Sequence, residues 1–248
     1  MLINKYSTDT EKRIVLAFKK LRFEESKHLY SIIKDKKFYY LPSVSSKVEA
    51  HAYKFNTEKM LPLSARKEGV EVEVLRQRWV DVNRIACELG TKTHDFLEHY
   101  TGIQLPSTPQ EVAGIKYIKD LYPKYRISFR ELRAYSNEFM YAGTMDLPLE
   151  VVGQGTFEIA DYKTNGDLFK AYDYLKPPFQ SMEASPFNKY QIQLSYYQIM
   201  LEEIGLKIVD RKLVHLRPDG EYRAYSLTDL TSHLRDHMKH QSKKLCLQ

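Results

Sequence analysis

Cysteine is nearly missing from this chain, with two among 248 residues, Cys87 and Cys246. That scarcity excludes a disulfide framework and a four-cysteine cluster, and it suits a reducing compartment. No stretch approaches the roughly 18 unbroken apolar residues of a membrane span, and no signal-peptide pattern opens the sequence. Glycine/serine-rich linkers, internal repeats and low-complexity blocks are also lacking. Charge of one sign is in only slight excess: 38 basic residues face 32 acidic ones, for a net charge of +6. A basic surface must therefore come from local clustering. What the chain does hold is an apolar fraction of 43% and 19 tyrosines. The first is that of a folded globular protein, and the second suits stacking on a polar polymer, though ordinary packing accounts for most tyrosines.

The patterning predicts a short amphipathic helix over Thr10 to Leu21. Two strands, His28 to Ile33 and Phe38 to Leu41, flank the polar turn Lys34-Asp35-Lys36-Lys37. Pro42-Ser43-Val44-Ser45-Ser46 ends that hairpin and can cap a helix. From Val70 to Leu89 an apolar stripe (Val70, Leu75, Trp79, Val82, Ile85, Ala86, Leu89) marks a helix, with Gly90 separating it from a second over Thr91 to Tyr100. Thr108-Pro109-Gln110-Glu111 is a capping box for a helix reaching Tyr122. Three strands follow, Ile127 to Ala134, Glu138 to Glu150 and Thr156 to Tyr162. A helix over Asn188 to Ile204, a strand over Ile208 to Leu216 and a helix over Thr228 to His240 complete the order. An α/β fold with a mixed central β-sheet flanked by helices is the expectation.

Four stretches carry chemistry. Asp161 and Lys163 are two apart in a strand, so they share a face with Phe157 and Ile159. Alone, the pair reads equally well as a structural ion pair. Asp146, after Ala142-Gly143-Thr144-Met145, can be brought beside Asp161 by a hairpin; two adjacent carboxylates repel, and a divalent cation relieves them. Gly143 would let a chain or substrate approach the backbone. His94 and Glu98 are four apart on a helix, as are Gln193 and Tyr197, so each pair shares a face. Each element alone has an ordinary explanation; their ordered combination is what points to a site.

That combination resembles the RecB-like exonuclease branch of the PD-(D/E)XK nuclease superfamily. The matching elements are Gly90-Thr91 with His94 and Glu98, Gly143 with Asp146, Asp161 with Lys163, and Gln193 with Tyr197; the Pro42-Ser43-Val44-Ser45 segment and Trp79 extend the likeness. The resemblance covers residues from about 28 to 217. It implies a restriction-endonuclease-like core, with 1–248 a single nuclease domain in which residues 1–89 form a hairpin and helical extension packed on a catalytic core of 90–248. It further implies magnesium or manganese held by His94, Asp146, Asp161 and the carbonyl of Tyr162, with Asp146, Asp161, Lys163 and Gln193 catalytic and Glu98 supporting. Ser43, Ser45, Arg76, Arg78, Thr164 and Tyr197 are the expected nucleic-acid contacts. The arginines, with Arg84, read as well as the solvated face of a helix. Two cysteines exclude the iron–sulfur cluster of some relatives. The implied activity is hydrolysis of DNA, as an exonuclease acting on free ends or single-stranded segments in repair, recombination or phage replication. A structure-selective endonuclease, or a DNA-binding protein retaining the fold without turnover, is the alternative. A cytoplasmic, bacterial or phage-encoded protein with no membrane partner is the matching expectation.

Overall fold

Thr8 opens the described part of the chain. In the computed structural model residues 8–245 are described, with side chains to 241, so Cys246 lies outside them. The Thr8 hydroxyl accepts from the Glu11 amide while the Glu11 carboxylate accepts from the Thr8 amide, a reciprocal cap that starts α1 (Asp9–Phe18). The expected hairpin forms as β2 (Leu29–Lys34) and β3 (Lys37–Leu41), with β1 (Arg22–Glu24) added in antiparallel order β1-β2-β3. Tyr30 and Ile32 point inward to the same apolar core as Ala142 and Ile199. Ser43 then caps α2 (Val44–Ala50).

Helices α3 (Thr57–Glu68) and α4 (Val72–His99) pack through Leu61, Ala65, Leu75 and Trp79. Two expectations are corrected here. Gly90 does not divide α4, which runs unbroken for 28 residues. A helical glycine costs only about 1 kcal/mol against alanine, and Thr93 and Leu97 just beyond it are fully buried. The apolar stripe is also covered only in part: beyond Trp79, Val82 and Ile85 remain exposed.

The central sheet has the order β10-β9-β8-β7-β4. Its strands are β4 (Tyr125–Ile127), β7 (Leu147–Val151), β8 (Thr156–Lys163), β9 (Ile208–Leu216) and β10 (Tyr222–Ser226). Only β8 and β9 run parallel, joined by the crossover helix α6 (Pro186–Glu203); the other pairings are antiparallel. The mixed sheet flanked by helices is thus present. Phe157 and Ile159 of β8 face a core shared with α6, α2 and α7 (Thr231–Leu245). Ala160 and Tyr162 face the opposite core, against Leu97 of α4 and Ala113 and Tyr117 of α5 (Pro109–Asp120).

The strands expected over Ile127 to Ala134 and Glu138 to Glu150 are each broken in two. β5 (Leu132–Ser136) and β6 (Tyr141–Met145) form a separate two-stranded sheet, so the chain changes sheet between Met145 and Leu147. Alternation continues through such a break, which is why it does not show in the pattern. Among the described residues, no helix is long and apolar enough to cross a membrane.

Candidate metal and phosphodiester site

Asp146 occupies the junction between the two sheets. It is buried, and its Oδ2 accepts from the amide of Tyr162 at 2.7 Å, tying the end of β6 to β8. Its own carbonyl accepts from the amide of Glu131 at 3.0 Å. Glu131 is the residue the sequence reading missed. It sits in the break before β5 with φ +50°, a left-handed conformation unusual for a side chain this long. Its neighbour Arg130 donates to the carbonyls of Leu97, Glu98 and Tyr100, capping the C-terminus of α4. Together these bonds present the Glu131 carboxylate to His94.

His94 comes from the last turns of α4. Its Nδ1 lies 3.4 Å from Asp146 Oδ2 and 3.5 Å from Glu131 Oε1, and its Nε2 is 3.1 Å from the carbonyl oxygen of Tyr162. Donor atoms of His94, Glu131 and Asp146 all lie within 4.8 Å of one another. Burial alone would push the His94 imidazole down, but Asp146 and the hydrogen bond to Glu131 outweigh it and hold it up at about 9.

Asp161 is 1% exposed and pairs with the Lys163 ammonium on the same face of β8. Burial, and then the charge of Asp146, push its carboxyl up to about 6. Asp146 is raised as well, first by burial, with His94 and Lys163 opposing. Burial would lower Lys163, but Asp161 and Asp146 hold it above its usual range; its Nζ also lies 4.8 Å from the centroid of the Tyr190 ring. Carboxylates this crowded are disfavoured in their charged forms. Hard oxygen donors with one imidazole suit magnesium or manganese, so the cluster of His94, Glu131 and Asp146 fits a hard divalent cation, while the expected ligand Asp161 stands outside that cluster, paired with Lys163.

The remaining expected residues divide. Gln193 lines a cleft of about 360 Å³ with Ser45, Asn165, Lys189 and Tyr190, the last being the residue whose ring meets Lys163. Its Nε2 donates to the hydroxyl of Tyr197 at 3.1 Å. Tyr197 itself is 3% exposed, so it is buried support for Gln193 and not a surface for nucleic acid. Gly143 is correspondingly a packing glycine: a Cβ there would lie 2.8 Å from the Tyr197 ring and 3.0 Å from Val44. No substrate passes there. The Ser43 hydroxyl is taken by its cap on α2. Thr164 sits against α4, where a Cβ on Gly90 would lie 3.6 Å from its Oγ1. Glu98 is exposed, shares a small cavity with His94, Glu131 and Asp146, and stands outside the donor cluster.

Arg76 and Arg78 lie far along α4 and are already paired. Arg76 reaches Glu58 at 3.2 Å and Glu73 at 3.3 Å, Arg78 reaches Glu68 at 2.9 Å, and Arg84 reaches Glu88 at 2.9 Å. These are surface ion pairs between solvent-facing side chains.

No protein-family model matches the chain, and no curated protein matches its sequence.

Proposed function

We propose that this chain is a metal-dependent deoxyribonuclease of the RecB-like PD-(D/E)XK type, hydrolysing phosphodiester bonds from DNA ends. One observation carries the reading: residues from four separated stretches, His94, Glu131, Asp146, and Asp161 with Lys163, meet at one end of β8, where buried carboxylates crowd an imidazole and an ammonium. A structural ion pair has no need of a second and third carboxylate.

In this reading His94, Glu131, Asp146, Asp161 and the Tyr162 carbonyl hold magnesium or manganese. Such a cation, when bound, polarises the scissile phosphate and makes a water nucleophilic near neutral pH. Lys163 places a fixed positive charge beside the phosphate and stabilises the negative charge that builds on its oxygens. Asp161 holds that ammonium in place, and the Tyr190 ring shields one side of it. Gln193, fixed by Tyr197, presents its amide to the cleft, where it can orient a phosphate oxygen.

The test is incubation of the purified protein with linear and closed-circular DNA, in magnesium, in manganese and in chelator. Metal-dependent loss of linear DNA alone is the expected result. Nicking of circles replaces the exonuclease by an endonuclease. No cleavage of either, with either metal, removes the enzyme reading.

A further inference from the structure

The arginines of α4 are each ion-paired to a neighbouring carboxylate, whereas the β2–β3 hairpin carries cations that are not. Its turn, Lys34-Asp35-Lys36-Lys37, carries three lysines and one acid, and none of the three lysines is ion-paired to a described carboxylate. On β3, Phe38 and Tyr40 share one face and are 51% and 68% exposed. Their rings lie 4.9 Å apart, edge to face. Ile33, opposite Phe38, extends the same open face.

The arrangement also carries local costs to the fold. Lys34 and Lys37 are directly opposed across the two strands, a like-charge pair that weakens a hairpin. Asp35 and Lys36 both adopt positive φ, 50° and 61°, without glycine at either position. Large exposed aromatics on an edge strand add a further cost. Such local conflicts at one place mark a surface kept for a ligand. The hairpin is also rooted at the site. Tyr30 hydrogen-bonds Thr144 at 2.8 Å, two residues before Asp146, and the Pro42 carbonyl accepts from Ala142 at 3.0 Å. From that root the turn stands roughly 17 Å away along the strands.

We infer that the β2–β3 hairpin is a platform for single-stranded DNA, stacking bases on Phe38 and Tyr40 and holding phosphates with Lys34, Lys36 and Lys37. Unpaired bases are required because stacking on an aromatic ring needs an open base face, which a duplex hides. The inference rests on the nuclease reading and supplies its substrate class: a strand whose end is unpaired before it reaches Asp146 and Lys163.

Anisotropy of fluorescein-labelled dT20 with the whole protein in chelator measures binding without cleavage. The wild type is expected to bind, with affinity falling steeply as salt rises. F38A/Y40A is expected to weaken binding by about tenfold or more, since each base stack is a strong, sequence-tolerant contact. K34E/K36E/K37E is expected to flatten the dependence of log affinity on log salt by about 2, from three lost single-strand phosphate contacts. Lys36, Lys37, Phe38 and Tyr40 are exposed and Lys34 is half-buried, and an unchanged thermal transition checks that each variant folds. If both variants bind dT20 as the wild type does, the platform is overturned, and cleavage by the wild type then leaves the nuclease reading standing. A wild type that neither binds dT20 nor cuts linear DNA overturns both.

Discussion

Strand β8 buries a carboxylate beside a lysine on each of its faces, and the two pairs are unlike. On one face Glu158 meets Lys212 at 2.8 Å and accepts from the hydroxyl of Tyr125 at 2.7 Å. Each of its oxygens has one partner, and Asp210 also approaches the Lys212 ammonium, at 3.8 Å. On the other face Asp161 meets Lys163, but Asp146 is close enough to raise it to about 6 after burial has done so first, and Glu131 and His94 stand next to Asp146. A buried carboxylate–lysine pair is therefore not by itself a sign of function. What distinguishes the second face is an imidazole set among carboxylates: donor atoms of His94, Glu131 and Asp146 lie within 4.8 Å of one another, beside the Asp161–Lys163 pair.

The comparison can be broken by substituting on both faces. Asp161→Ala or Lys163→Ala is expected to slow magnesium-dependent cleavage by roughly 10²–10³-fold or more, with the fold retained. Wild-type rates from either variant would remove that pair from the mechanism. Glu158→Gln, by contrast, should leave cleavage unchanged and lower stability by roughly 2–3 kcal/mol in urea titration, the loss of a hydrogen-bonded charge pair. Should it abolish activity while remaining folded, the two faces are not separate. Glu131→Gln sharpens the difference further. Manganese affinity, followed by calorimetry, should fall at least about tenfold for this variant, whereas an unchanged isotherm would place Glu131 outside the cation's ligands.

A smaller effect comes from His51, a buried base that no carboxylate among the described residues pairs with. Its Nε2 lies 3.2 Å from the Tyr196 hydroxyl, and burial followed by the charge of His237 lowers it to about 4. The folded pKa lies below the unfolded one, so the unfolded chain takes up a proton first as acid is added. The contribution is complete above about 6.5 and is lost as pH falls toward 4. Thermal melts across that window should show a downward trend that His51→Gln, which gains no proton, makes shallower. An identical trend in the variant would assign the acid lability to other groups.

Much of the architecture is legible from periodicity because single residues reported it. Thr108 and Glu111 form the reciprocal cap that their spacing implies, and Ile208–Leu216 is the strand its alternation draws. Asp161 shares its face with Phe157, Ile159 and Lys163, as a two-residue repeat requires. Other parts escaped for physical reasons. Glu131 owes its position to a left-handed backbone and to a bond from its amide to Asp146, neither of which leaves a trace in hydrophobic alternation. Tyr197 and Gly143 could be paired with the correct helix and strand, but only the approach of Val44 shows that they pack against one another instead of facing a ligand. Arg76 and Arg78 found carboxylates on α3, Glu58 and Glu68, partners set by tertiary structure.

The position of Asp146 between two sheets makes it a mechanical joint. Residues before it are clamped by β5 and residues after it by β8, so its backbone is held from both sheets while the Tyr162 amide holds its carboxylate. The bond from Tyr30 to Thr144 attaches the hairpin to the first of those sheets. A pull on the hairpin would thus be delivered to Asp146 through a short, stiff lever, and the alignment of the site would sense how firmly a strand is gripped.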